Sequence, residues 1–436
     1  MDNLLSGIAI IVSLLAAIGF GIPVGIAMAA VAFAGMYLTV GVPFLMTTVG
    51  SLPYALSSDY AFVVVPMFIF MGSLTSVSGI TQELYSAAHK WNSGIKGGLY
   101  YATTLASGGF GAINGSTVVS ATLFTRIALP EMLRYQYSSA ISAGCIAAAG
   151  TFAALIPPSL GMVIYAILTE ASIGALLVGG LMPGLLTVAV YFVGIFIIVR
   201  VNKDAAPAIA ERYSWAEKFG SLKGIWAFMT LAFLVLGGIY SGVMFPSAAG
   251  AVGAAGALLI SLLRGRLTFR GLNDAVTQSV LTTASLFLII IGGMLLSRLL
   301  LVSGFIGDIS SLVESTDLNV WQFLAILIAI YLVLGMFVEG VSMMVMTIPF
   351  VHPVATSLGI DPIWMGVIVI KLVEIGALTP PVGINLFAVT GASEGRINMQ
   401  TMFRGILPFL VMEAFTLGLI IAFPLISTWL PSQMYN

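Results

Sequence analysis

The chain has 436 residues, of which 59% are hydrophobic and 8% charged, and its formal net charge is -1. A water-soluble domain carries roughly a quarter of its residues as Asp, Glu, Lys or Arg, so this sequence reads as an all-α integral membrane protein. The near-zero charge argues against a basic face and hence against a nucleic-acid partner. The single cysteine, Cys145, leaves no disulfide and no thiolate metal cluster, only a small buried hydrophobe.

In chain order, the first apolar segment, 4–17, follows no basic region and reads as a retained helix rather than a cleaved signal. The interval 43–60 reads as an external loop with exposed Tyr54 and Tyr60. Basic residues cluster at Lys90/Lys96, at Arg126/Arg134, between 200 and 223, between 264 and 270, and at Arg396/Arg404. The intervals 43–60, 169–172, 303–319 and 352–361 carry only the acids Asp59, Glu170, Asp308, Glu314, Asp317 and Asp361. Positive charge marks the cytoplasmic side, which places the first set inside, the second outside and the N-terminus outside. At about 20 apolar residues per crossing, the length leaves room for around ten crossings, and about eleven transmembrane helices are expected in all. The longest polar interval, 202–223, is expected to be a surface loop with an amphipathic segment at 215–219.

Two apolar stretches interrupt the alternation of sides. Residues 99–125 are flanked on both sides by basic segments, and 320–350 on both sides by segments with none. Each is expected to be a re-entrant hairpin of two short helices, about 15 Å each, that turns near the midplane. The expected tips are GGFGAINGSTVVS and GMFVEGVSMM. Non-helical backbone at that depth is tolerated only where protein buries it or it lines a cavity; close helix packing through small residues is the plainer reading of the glycines. A helix with a proline pair follows each stretch, Pro157-Pro158 and Pro380-Pro381, offset by 380 - 157 = 223 residues. Proline removes an amide donor and clashes with the preceding turn, so both helices should unwind there. Hairpins entering from opposite sides make the repeat inverted, and paired interrupted segments point to a midplane binding site in secondary transporters.

The tips and breaks are rich in neutral oxygens, at Asn114, Ser116, Thr117, Ser159, Ser342, Thr379 and Asn385. Such ligands suit Na⁺, and half-helix N-termini suit a carboxylate. Any single Ser or Thr could instead bond back to a helix carbonyl. Na⁺-coupled carriage of an organic acid is therefore expected, with Asn114, Thr117, Ser342 and Asn385 as substrate contacts and no cofactor besides the coupling ion. A proton-coupled carrier is the rival, with Glu339 as its site. Glu374, three residues after Lys371, reads as half of a structural ion pair. Arg298 is expected near a helix end, snorkelling or pairing with an acid. His89, placed in the loop of Lys90, and His352, placed in an external loop, cannot form a metal site or triad together. No phosphate-cradling motif is present, so the chain is not expected to be an enzyme. An ion channel and a one-component organic-anion carrier remain as alternatives.

At the tips and breaks the chain resembles the large membrane subunit of tripartite ATP-independent periplasmic (TRAP) transporters. The resemblance is carried by GGFGAINGSTVVSATL, GTFAALIPPSLGMVIYA, GLMPGLL, GMFVEGVSMMVMTIPF and GALTPPVGINLF. It implies an elevator-type carrier in a bacterial inner membrane that imports organic acids such as C4-dicarboxylates or sialic acid on a Na⁺ gradient. Residues 99–170 and 320–392 would form the transport domain, 1–98 and 171–319 the scaffold, and 393–436 a C-terminal helix. The implied partners are a small four-helix membrane subunit, expected as a separate chain, and a soluble periplasmic substrate-binding protein. One implied Na⁺ site uses Gly335, Val338, Gly376, Thr379 and Val382; the other uses Gly109, Gly111, Asn114, Ser116, Ala153, Ile156 and Ser159. Ile156 stands where the second break has Thr379, so the first site lacks that side-chain ligand.

Overall fold

The computed structural model describes residues 2–207, 213–316 and 318–434, with the backbone alone described for 2, 310, 312–314 and 434. Asp317, the side chain of Glu314 and the 208–212 part of the polar loop lie outside what is described. Every regular element among the described residues is a helix. Six are long and apolar enough to cross a bilayer, or up to eight if each of two bent pairs is one span.

Both hairpins form. The first runs Gly98–Asn114, turns at Gly115 and Ser116, and returns as Thr117–Arg134. The second runs Val320–Gly335, turns over 336–339, and returns as Gly340–Ser357. The turn chemistry follows from the residues. Gly115 adopts φ +65° and its amide bonds the Gly111 carbonyl at 2.8 Å, the left-handed stop that glycine supplies at a helix C-terminus. Ser116 then caps the returning helix by accepting from the Val119 amide at 3.4 Å. In the second tip Glu339 takes the capping role, accepting from the Ser342 amide at 3.1 Å. The arms are longer than the sequence suggested: 16 to 18 residues, about 24–27 Å at 1.5 Å per residue. A tip at the midplane therefore requires arms that tilt or begin outside the hydrocarbon layer.

Both proline pairs break their helices. Ser139–Gly150 continues through Phe152–Leu155, stops at Ile156, and resumes as Leu160–Thr169 with a bend of 42°. Pro362–Leu378 stops at Thr379 and resumes as Ile384–Ala392. Ile156 and Thr379 each precede a proline and take the same extended conformation, with ψ 119° and 124°, as the proline ring requires of its predecessor. The two units pack reciprocally. Leu160–Thr169 lies on the returning arm Gly340–Ser357, and Ile384–Ala392 lies on the returning arm Thr117–Arg134. The exchange of roles is the packing expected of two repeats related by a pseudo-two-fold axis.

Around these units the helices sort into two groups. Val24–Thr39 and Val64–Val77 pack along Phe269–Val302, and Pro246–Leu263 packs along Val64–Val77. Ile173–Val201 and Met399–Ala422 instead pack on each other and on the broken helices, and Ile173–Val201 also touches Gly98–Asn114.

Several expected loops are helical. The interval 43–60 is mostly the helix Val42–Ser58, started by a proline in its first turn, and Tyr54 and Tyr60 are exposed. Much of 303–319 is the helix Phe305–Ser315. His352 lies within Gly340–Ser357, and His89 is a buried residue of Ile80–Trp91 bonded to Glu131 at 3.1 Å. Short amphipathic helices look polar in sequence because only one face is apolar. The same principle fits the expected amphipathic segment, which is the helix Trp215–Leu222, capped by Ser214 and Glu217. Cys145 is buried and free. Arg298 is exposed near the end of Phe269–Val302.

Candidate functional site

Each hairpin is joined to its broken helix by a contact between backbones. A β-carbon on Gly335 would lie 2.6 Å from the Cα of Gly376, and one on Gly111 would lie 2.7 Å from the Cα of Ala153. These pairs are offset by 335 - 111 = 224 and 376 - 153 = 223 residues, in step with the proline pairs. In the second unit the Gly383 amide also donates to the Met336 carbonyl at 3.1 Å, tying break to tip. Thr379 donates its hydroxyl to the Ile375 carbonyl at 2.6 Å and its amide to the Gly376 carbonyl at 3.0 Å. Ser159 donates to the Ala154 carbonyl and accepts from the Met162 amide at 3.3 Å. Both hydroxyls therefore bond back to their own helices, and their oxygens retain acceptor capacity.

Between the units lies a cavity of about 190 Å³. Asn114, Ser116, Thr117, Glu339 and Asn385 line it. Thr117 donates to the Asn385 side-chain oxygen at 3.3 Å, and Asn114 donates to the Ser116 carbonyl at 3.1 Å. Of the four half-helices that begin at tips and breaks, three are capped by Ser116, Ser159 and Glu339. The fourth, Ile384–Ala392, has Gly383 at its cap with no side-chain bond. Its second residue, Asn385, is fully buried, and its Nδ2 has no partner.

The whole chain can be placed by likeness. Residues 11–426 match the family described as "Tripartite ATP-independent periplasmic transporter, DctM component". The C4-dicarboxylate TRAP transporter large permease protein DctM of Pseudomonas aeruginosa is 34% identical over 87% of this chain and 88% of its own. The sialic acid TRAP transporter large permease protein SiaM of Vibrio cholerae is 31% identical over 94% and 95%. The crystal structure of the Alcanivorax borkumensis YdaH transporter matches in fold, with a TM-score of 0.57 over 96% of this chain and 98% of that one, at 14% identity. The chain belongs to the DctM family of TRAP transporter permeases.

Within this DctM-family permease most of the expected site residues converge. Gly335, Val338, Gly376 and Thr379 fall at the second tip and break, with Val382 in the break. Gly111, Asn114, Ser116, Ala153, Ile156 and Ser159 fall at the first. Gly109 is the exception: its open side faces Leu84 and Phe228 at 3.0 and 3.2 Å, whereas Gly108 faces Phe152 and Ile156. One residue along a helix turns by about 100°, and the sequence alone did not fix which of the two adjacent glycines faces the break. Ser342 is buried and bonded to Glu339 rather than lining the cavity.

Two features were missed. Ser73, Gln278 and Thr282 complete the cavity wall from Val64–Val77 and Phe269–Val302, and nothing local distinguishes them from other small polar residues in spans. The expected Lys371–Glu374 pair is present at 2.9 Å. Lys371 also pairs with Glu413 and reaches Thr187 at 3.3 Å, while Tyr191 donates to Glu413. Lys371, Glu374 and Glu413 are all without side-chain exposure. The lone acid in the middle of Met399–Ala422 was the signal, since an intramembrane charge implies a partner.

Proposed function

We propose that this permease imports an organic acid across the bacterial inner membrane, driven by Na⁺, with substrate delivered by a periplasmic binding protein. The supporting observation is the cavity between tips and breaks, where the uncapped N-terminus of Ile384–Ala392 and the unpartnered amide of Asn385 present donors beside Thr117. A carboxylate satisfies such donors, and the helix dipole favours its charge. C4-dicarboxylates and sialic acid, the solutes in the names of the P. aeruginosa and V. cholerae relatives, are both organic acids and are taken as the substrate class.

Two Na⁺ sites are proposed at the paired junctions. One uses Gly335, Val338, Gly376, Thr379 and Val382; the other uses Gly111, Asn114, Ser116, Ala153, Ile156 and Ser159, with the carbonyl of Gly109 as a peripheral member. The remaining carbonyls and hydroxyl oxygens are hard ligands without fixed charge. Movement is proposed to be of elevator type. Hairpins and broken helices travel as one body, and their packing supports including Ile173–Val201 and Met399–Ala422 in it. Val24–Thr39, Val64–Val77, Pro246–Leu263 and Phe269–Val302 would stay with a small four-helix subunit. About eleven crossings and a periplasmic N-terminus complete the proposed topology.

The test is uptake of labelled succinate and sialic acid into proteoliposomes holding the permease and its small subunit, with and without the binding protein. Saturable uptake of one acid that needs the binding protein is expected. Uptake without it would leave a one-component carrier, and unsaturable flux would indicate a channel.

A further inference from the structure

We infer that Gln278 and Thr282 of Phe269–Val302 hold the solute from outside the moving body, and only while the cavity faces the cytoplasm. The inference deepens the proposed elevator-type import of an organic acid and rests on it.

The cavity is walled by two bodies. Asn114, Ser116, Thr117 and Asn385 belong to the first hairpin and the second broken helix, whereas Ser73, Gln278, Thr282 and Leu286 belong to Val64–Val77 and Phe269–Val302. Gly72 brings the first tip against this second group: a β-carbon there would lie 2.7 Å from Oδ1 of Asn114. Gln278, Thr282 and Leu286 recur every four residues and so share one helix face. Gln278 and Thr282 are exposed, and neither side chain makes a hydrogen bond to a described residue. Ser73, by contrast, is paired with Ser279 at 3.2 Å, and Ser279 bonds back to the Ala275 carbonyl at 2.6 Å. One carboxamide and one hydroxyl are therefore left free for a ligand. The lining also holds the carboxylates of Glu339 and Glu374 and, among the described residues, no lysine, arginine or histidine. Recognition of an anion thus falls to neutral donors such as these.

The polar residues of this wall sit at one end of both helices. Gln278 and Thr282 lie about 12 and 18 Å along the axis from Arg270, at the end that basic residues mark as cytoplasmic. Beyond them, residues 286–296 read LFLIIIGGMLL and carry no side-chain oxygen or nitrogen. Val64–Val77 shows the same asymmetry: residues 64–72 read VVPMFIFMG, and Ser73, Thr75 and Ser76 follow. A glutamine amide at this depth is costly against lipid, and facing the cavity relieves that cost. When the moving body carries the cavity towards the other face, the wall it passes offers apolar side chains and no donor. The solute gains the Gln278 and Thr282 contacts in one end state and loses them in the other. Contacts made in one state alone favour that state, so affinity is higher on the release side than these helices would otherwise give.

The test uses proteoliposomes holding the permease and its small subunit, with Na⁺, binding protein and labelled succinate or sialic acid outside. Two quantities are read: the external acid that gives half-maximal uptake, and the unlabelled acid loaded inside that halves uptake. Gln278→Met should raise the internal value by about tenfold, as expected for one lost hydrogen bond to a charged group, and leave the external value unchanged. Thr282→Val should shift the same value in the same direction. Gln278→Lys, which gives the cavity a cation, should lower it. Equal changes in both values, or no change in either, would overturn the inference. If Gln278→Met does not fold, an internal value that Gln278→Lys fails to lower overturns it equally. Parent uptake that internal acid does not slow would also overturn it, with import itself intact. A parent that takes up neither acid would remove the proposed import together with this inference.

Discussion

Gly335 and Gly376 meet backbone to backbone, and a β-carbon on either would come within 2.6 or 2.7 Å of the other's Cα. This contact seats the second tip against the second break. Its counterpart, Gly111 against Ala153, already carries one methyl group, and that difference leads to the first prediction. Gly376→Val should cost about 1–3 kcal/mol or more through overpacking and abolish uptake. It is read from the thermal midpoint of the purified complex and from transport.

Thr379→Val removes the hydroxyl bonded to the Ile375 carbonyl and with it the only side-chain ligand proposed for the second Na⁺ site. Half-saturation for Na⁺ should rise by about tenfold, as expected for roughly 1.4 kcal/mol of lost interaction, with little change in the midpoint at saturating Na⁺. Ile156→Val, at the corresponding place in the first break, removes no oxygen. Its Na⁺ dependence should match the parent.

Asn385 has a buried, unpartnered amide at an uncapped helix start. Asn385→Leu should raise the half-saturation for substrate by tenfold or more, since a hydrogen bond to a charged group contributes about 1.5–3 kcal/mol. Asn385→Asp should be worse, because it adds a third carboxylate to the cavity wall. Competition curves with the transported acid measure both.

Lys371 stands between Glu374 and Glu413 with no exposure of any of the three. Lys371→Met leaves two buried carboxylates facing each other, and the loss of stability should be about 3–5 kcal/mol. Replacing all three by apolar residues of similar volume should restore much of the thermal midpoint, since a well-packed apolar substitute for a buried ion cluster is often neutral or stabilising.

The sequence made the fold's main devices visible because each leaves a local mark. Charge asymmetry exposed the hairpins, and the proline pairs at Pro157 and Pro380 exposed the breaks. Orientation around a helix axis was less legible, since it depends on partners far away in sequence: hence Gly109 rather than Gly108, and Ser342 at the cavity. Arm length was underestimated because hydrophobic runs do not report where a helix starts beyond the membrane. The Glu413 partnership was invisible to a reading that considered only neighbours within one helix turn. Helices such as Val42–Ser58 and Phe305–Ser315 were taken for loops because acids and turn residues at their ends outweighed one apolar face.

The most direct test of the central claim is concentrative uptake driven by an imposed Na⁺ gradient alone. Proteoliposomes holding permease and small subunit, supplied with binding protein and labelled acid, would be loaded so that pH is equal on both sides. The account predicts accumulation above the external concentration, which collapses when Na⁺ is equalised and is reduced at limiting Na⁺ in Thr379→Val. Accumulation that follows a pH gradient instead, with Na⁺ equal on both sides, would contradict it.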